Sequence, residues 1–339
     1  MMRRFLTLAA ALLAIASAAQ AGPVLERVKA NNMLRCGVGG SLAGFSLPDS
    51  RGEWHGIDVD FCRAVAAAVL GDPSRVTFVP VTLQTRFTAL SSGEVDILAR
   101  DTVMTFSRDV NLGISFVGVS FYTGTGVMVR RASGVTRMDQ LDGATICASQ
   151  GGSNLPEVAD FLRARNRPFT PLTFDRFAVV LDAFLAGRCD AVTAGAADLA
   201  AAVSVQVTNP QDFLVLPEVL SRDPYGPAVA RGDIEWFSIA RWTLFALIEA
   251  EERGVTRANA REMARTATDP ALKRLLGTED NLGGMLGLPR DWVVRVIEAV
   301  GNYGEVYDRN FGPGTPINLH RGQNNVVSRG GLHYGMPFR

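Results

Sequence analysis

The chain has 339 residues, 47% of them hydrophobic, which is enough for a large core and more than one core usually organises, so two lobes are expected. That length excludes a disulfide-held mini-protein. Basic and acidic residues balance at 34 each without a block of like charge, which removes the electrostatic footprint of a nucleic-acid binder.

Residues 1–21 read as a secretory leader. Arg3 and Arg4 precede an apolar run from Phe5 to Ala16 that is too short for a spanning helix, and Ala19-Gln20-Ala21 fits a small-x-small cleavage site. The remainder, from Gly22, is expected to be an exported, soluble, slightly acidic monomer. Export favours disulfides over cytosolic redox or metal chemistry for Cys36, Cys62, Cys147 and Cys189. Three pairings are possible; the expected one joins Cys36 to Cys62 and Cys147 to Cys189, one bridge per lobe. No C-x-x-C occurs and no histidine lies near the cysteines in sequence, so no metal site is expected.

Met33 to Cys36 reads as a strand entering the glycine loop Gly37-Val38-Gly39-Gly40. Asp58 then stands as N-cap to an alanine-rich helix from Val59 to Leu70, with Gly71 past its end. Further on, Phe87-x-x-Leu90-x-x-Gly93-x-x-Asp96 is echoed by Leu181-x-x-Phe184-x-x-Gly187-x-x-Asp190. Each reads as a helix face, a left-handed glycine and entry into a strand, which implies two lobes of similar build. Val76 to Val79, Ile114 to Val117, Thr145 to Cys147 and Phe213 to Val215 complete the strands. Ser153 to Arg163, Ala196 to Val203 and Asp233 to Glu252 read as helices, the last with Trp236, Ile239, Ala240, Thr243 and Leu247 on one side. The fold class is α/β, with open sheets covered on both faces.

Tyr122 to Val129 and Pro217 to Ala230 lack helical periodicity and read as crossings between the lobes. The first lobe is then 22–123 and 228–311, with the second, 124–227, inserted. Residues 312–339, rich in Gly, Pro and Asn, are expected to wrap the first lobe as irregular chain.

The motif inventory for catalysis is thin. Neither H-E-x-x-H nor G-x-S-x-G nor a Walker A sequence occurs, and His55, His320 and His333 are expected to be solvated. Gly37-Val38-Gly39 begins a dinucleotide fingerprint, but Leu42 stands where its third glycine belongs, and no cofactor is expected. Arg108 is the strongest candidate for ligand binding. It closes Asp101-Thr102-Val103-Met104-Thr105-Phe106-Ser107-Arg108, just after a strand, where open α/β sheets place their sites and where a guanidinium can hold a carboxylate through two parallel bonds.

Gly56-Ile57-Asp58-Val59-Asp60-Phe61-Cys62-Arg63 and Arg86-Phe87-Thr88-Ala89-Leu90 through Leu98 resemble the solute-binding proteins of polar amino-acid ABC importers. Gly226-Pro227-Ala228-Val229, Arg241-Trp242-Thr243-Leu244 and Gly301-Asn302-Tyr303-Gly304-Glu305 point to the general L-amino-acid branch. The resemblance covers essentially the whole chain after the leader. It implies a type II periplasmic-binding-protein clamshell, two lobes joined by two hinge strands, that closes on a small molecule and presents it to a membrane permease.

The resemblance also implies site roles, and the sequence departs from several of them. An Arg at the position of Arg108 grips the α-carboxylate with backbone N–H groups and a hydroxyl five residues earlier, but Val103 stands there. Gly151-Gly152-Ser153-Asn154-Leu155 replaces a Thr-rich helix start, which leaves N–H groups and Ser153 for an anion. Gly195 occupies the place of the ammonium-binding Asp. Asp198 or Asp101 would then have to meet the ammonium, with Asp198 expected to face solvent on its helix; alternatively the ligand is an amine-free carboxylate. Thr102 belongs to the same loop as Asp101, and Gly39 and Leu42 are expected to wall the ligand side chain. Two rivals remain: a periplasmic dehydratase of cyclic carboxylates on this fold, with Asp101 as general acid, and a sensory module using the same clamshell.

Overall fold

Two five-stranded sheets organise residues 22–339, the part of the chain that the computed structural model describes. The leader expected at 1–21 lies outside the described residues. The first sheet runs Val76–Pro80, Leu34–Val38, Ile97–Leu98, Ala228–Ala230, Ile114–Phe116, and the second runs Thr170–Phe174, Thr145–Ser149, Ala191–Gly195, Thr125–Arg130, Phe213–Val215. In each sheet three parallel strands are followed by an antiparallel one. That antiparallel strand directly follows a crossing in both cases, because Phe121–Thr123 and Asp223–Tyr225 pair as an antiparallel two-stranded ribbon.

The sequence echo has a structural cause. Gly93 and Gly187 take φ of +75° and +78° after their helices, a conformation that costs a residue with a Cβ. The aspartate that follows then bonds in the same way in both lobes. Asp96 donates its N–H to the Arg35 carbonyl and accepts the Arg35 N–H on its carboxylate, both at 2.8 Å. Asp190 does the same with Thr145 at 2.8 and 2.7 Å. Each pair fixes the register of the third parallel strand against the middle one.

Buried clusters cover both faces of each sheet. The helix Ile234–Glu252 buries all five apolar-face residues named above, and Asp233 caps it by accepting the Trp236 N–H at 2.9 Å. Cys36–Cys62 and Cys147–Cys189 are bridged, one in each lobe. Among the described residues no helix is long and apolar enough to cross a membrane.

Two local expectations are corrected. The alanine-rich helix begins at Ile57 with Gly56 as its cap residue, so Asp58 lies inside the helix and is buried. Its Oδ2 accepts the Asp101 N–H at 3.1 Å, a bond spanning 43 residues that helps hold Asp101 at φ +33°. The second correction concerns His333, which is only 2% exposed and packs between the rings of Tyr122 and Tyr303, with centroids at 5.0 and 4.2 Å. Burial pushes its pKa down to about 3. The tail carries it there: Ile317, Val326 and Phe338 enter the first-lobe core, and the Asn324 side chain pairs with both backbone groups of Tyr122 at 2.7 and 2.9 Å.

Candidate ligand-binding site

A narrow cleft with a cavity of about 50 Å³ lies between the sheets, walled by both lobes and by Tyr225 of the crossing ribbon. The lobes also touch each other around it: Gln206 Nε2 donates to the Ser41 carbonyl at 3.0 Å, and Gly151 and Gly152 lie against Leu83 and Gln84. This is a closed clamshell.

Gly39, Leu42, Asp101, Val103 and Arg108 line the cleft from the first lobe, and Gly152, Ser153, Asn154 and Asp198 from the second. Thr102 is fully buried, spends its hydroxyl on the Arg100 carbonyl at 2.6 Å and is not part of the wall. Gly195 is also set back, and any side chain there would collide with the Tyr225 hydroxyl and the Asp198 carboxylate. Ser153 begins the helix Asn154–Arg163 without a side-chain cap bond, so the start of this helix, which lines the cleft, keeps uncapped N–H groups. The Asn154 amide donates to Thr125 Oγ1 at 2.8 Å. Phe45 is core, stacked edge-on against Phe121 and Phe311 at 4.9 Å.

Arg108 holds its guanidinium in place by donating from Nη1 to the Val103 carbonyl at 2.8 Å, across the five residues of the loop. Burial lowers its pKa, opposed by the charge of Asp223, so the charged form is short of compensation. The expectation that Asp198 faces solvent is overturned. The chain turns into the helix Ala196–Val205 directly from the strand ending at Gly195, and Asp198, 6% exposed, points back into the cleft. Its Oδ2 accepts the Tyr225 hydroxyl at 3.1 Å, while its buried Oδ1 has no partner among the described residues. Burial first and the charge of Asp101 second push its pKa up to about 8.

Sequence reading missed Arg86, Arg100 and Tyr225, which also line the cleft. Arg100 donates from Nε to the Val81 carbonyl at 2.8 Å and faces Asp101 at 3.3 Å. Arg86 is 1% exposed, lies 4.5 Å over the Phe87 ring, and has neither Nε nor Nη1 bonded among the described residues. A single signal pointed to it: a charged residue opening the otherwise apolar helical face of the echoed motif.

Two lobes, a two-stranded hinge and a cleft walled by paired and unpaired charges describe a receptor that closes on a charged small molecule. Residues 34–275 match the profile of the bacterial extracellular solute-binding proteins, family 3. The chain belongs to this family. It is 44% identical over 334 residues to the general L-amino acid-binding periplasmic protein AapJ of Rhizobium johnstonii, covering 97% of each chain. It is 46% identical over 329 residues to the glutamate/glutamine/aspartate/asparagine-binding protein BztA of Rhodobacter capsulatus, again covering 97% of each. Among solved structures, a periplasmic binding protein of an ABC transporter from Brucella ovis with glutathione bound superposes with a TM-score of 0.90 at 44% identity, over 93% of this chain and 99% of that one.

Proposed function

We propose that the protein is the exported receptor of an ABC importer for α-amino acids or small peptides that keep both the α-ammonium and a carboxylate. The observation that carries this reading is Asp198, a buried carboxylate in the cleft with one oxygen free to accept. Arg108 takes the carboxylate, helped by the N–H groups at the start of the helix Asn154–Arg163. Asp198 takes the ammonium, and Asp101 adds negative charge from the opposite lobe. Since each grip draws on both lobes, the ligand gains them in full only when the clamshell is closed, and this difference in affinity drives closure. Relatives named for L-amino acids and a structural neighbour holding glutathione, itself a zwitterion with free carboxylates, support the same class. In this reading the leader directs the chain to the periplasm and the closed form docks on the permease.

A binding role rather than catalysis is the reading that the relatives, named as binding proteins, support. Asp101, the residue expected from the sequence to serve as general acid in the dehydratase rival, faces Arg100 at 3.3 Å. Calorimetric titration with L-amino acids tests the proposal. Binding in the wild type that disappears in Arg108→Ala supports it; unchanged affinity in that variant refutes the site.

A further inference from the structure

The helix Ala196–Val205, which carries Asp198, is buried on two sides. Leu199 and Ala202 turn into the core of their own lobe. Ala197 and Ala201, one turn apart, instead join the cluster that contains the first-lobe core and the hinge rings Phe121 and Tyr225. Ala201 is 0% exposed, yet its own lobe's core leaves it out, so its burial depends on what lies across the seam. Past the end of the helix, Gln206 reaches the opposite lobe and donates from Nε2 to the Ser41 carbonyl at 3.0 Å. Its Oε1 is buried without a partner among the described residues, so the amide meets the first lobe with its donor end alone. Phe177, at the start of the second-lobe helix Phe177–Leu185, packs against both clusters and extends the seam. Ala197, Ala201 and Gln206 all stand outside the wall of the cleft.

Resting on the reading of the protein as a receptor that closes on its ligand, we infer that this helix face and Gln206 form a ligand-independent seam, and that Ala201 and Gln206 set the affinity without touching the ligand. In the open form the face meets water. Closure buries its methyl groups and the Gln206 amide against the first lobe, whatever the cleft holds. The apparent affinity of any ligand that needs the closed form scales with the population of that form. A change in the seam therefore multiplies every dissociation constant by the same factor, whereas a change in the cleft wall alters the ranking of ligands.

Calorimetry with L-glutamine, L-glutamate and L-alanine on the wild type, Ala201→Leu and Gln206→Glu tests this. The leucine wedges the seam, and the glutamate sets a carboxylate against the Ser41 carbonyl, in the closed form alone. Each variant should weaken every amino acid that binds by one common factor of at least about tenfold. Without ligand, each should melt within about 2 °C of the wild type, because the open form accommodates both changes; a leucine forced into a lobe core would lower the midpoint by about 5 °C or more. Unchanged affinity, an altered ratio between the amino acids, or such a drop in the ligand-free midpoint of Ala201→Leu overturns the inference. If none of the three binds the wild type, the amino-acid reading falls and the seam is judged by X-ray scattering of the free protein. A larger radius of gyration in Ala201→Leu than in the wild type then supports the seam, and equal radii overturn it.

Discussion

The hydroxyl of Tyr225 donates to Oδ2 of Asp198 at 3.1 Å, tying the crossing ribbon to the first turn of a second-lobe helix. The same hydroxyl occupies the space a side chain at Gly195 would need. The glycine, the tyrosine and the aspartate are therefore one arrangement, in which the acid three residues past Gly195 is aimed by a partner from the hinge.

Tyr225→Phe should destabilise the free protein by about 1–3 kcal/mol, because it leaves a buried acceptor without its donor. Urea unfolding midpoints measure this. Ligand affinity should fall as well, since Asp198 loses the bond that orients it; a variant with unchanged affinity would show that the hydroxyl does not position the acid.

Asp198 gives the binding its pH dependence. Its folded pKa of about 8 lies above the ordinary aspartate value of 3.8, so the folded state holds its proton more tightly. The stability this contributes is complete below about pH 4 and is lost as the pH rises through about 8. An ammonium ligand needs the ionised form, so affinity should rise between pH 6 and 8 and binding at pH 7 should release a proton. Titrations in buffers of different ionisation enthalpy detect that proton, and Asp198→Asn should abolish it.

His333 should act in the opposite direction. With its pKa lowered from 6.5 to about 3 in the folded chain, its contribution is complete above pH 6.5 and is lost as the pH falls toward 3. Stability compared between wild type and His333→Phe across that range should diverge at the acid end, with the variant the flatter of the two.

Asn324 makes the tail part of the hinge. Its amide satisfies both the N–H and the carbonyl of Tyr122, in place of a neighbouring strand. Asn324→Ala should cost about 1–3 kcal/mol through two unpaired backbone groups. Faster hydrogen exchange confined to residues 121–123 and the tail would locate the loss at the hinge.

Much of the fold was legible because it rests on local rules. Gly93 and Gly187 mark helix ends through backbone sterics, and the aspartates three residues on bond within their own sheets. Arg108 was legible as a cleft residue for a similar reason, since it follows the end of Ile97–Leu98, the central strand of its sheet. The misread residues depend on partners far away in the chain. Asp58 looked like a cap until Asp101 supplied a backbone donor from 43 residues on. The direction of Asp198 depends on Tyr225, and the burial of His333 on a tail whose composition gives no periodicity. Arg86 was hidden inside a family motif, where a charge on an otherwise apolar helical face was its one signal and its missing acceptors show only in the structure.

The most direct test is a thermal-shift panel on protein freed of bound ligand, setting L-amino acids beside keto acids, hydroxy acids and other amine-free carboxylates. A ligand at one hundred times its dissociation constant adds about 2.7 kcal/mol, which should raise the midpoint by roughly 5 to 10 °C. Shifts with L-amino acids, absent with their amine-free counterparts, are the expected result. Silence from every amino acid with a clear shift from an amine-free carboxylate would contradict it, because Asp198 would then meet no ammonium.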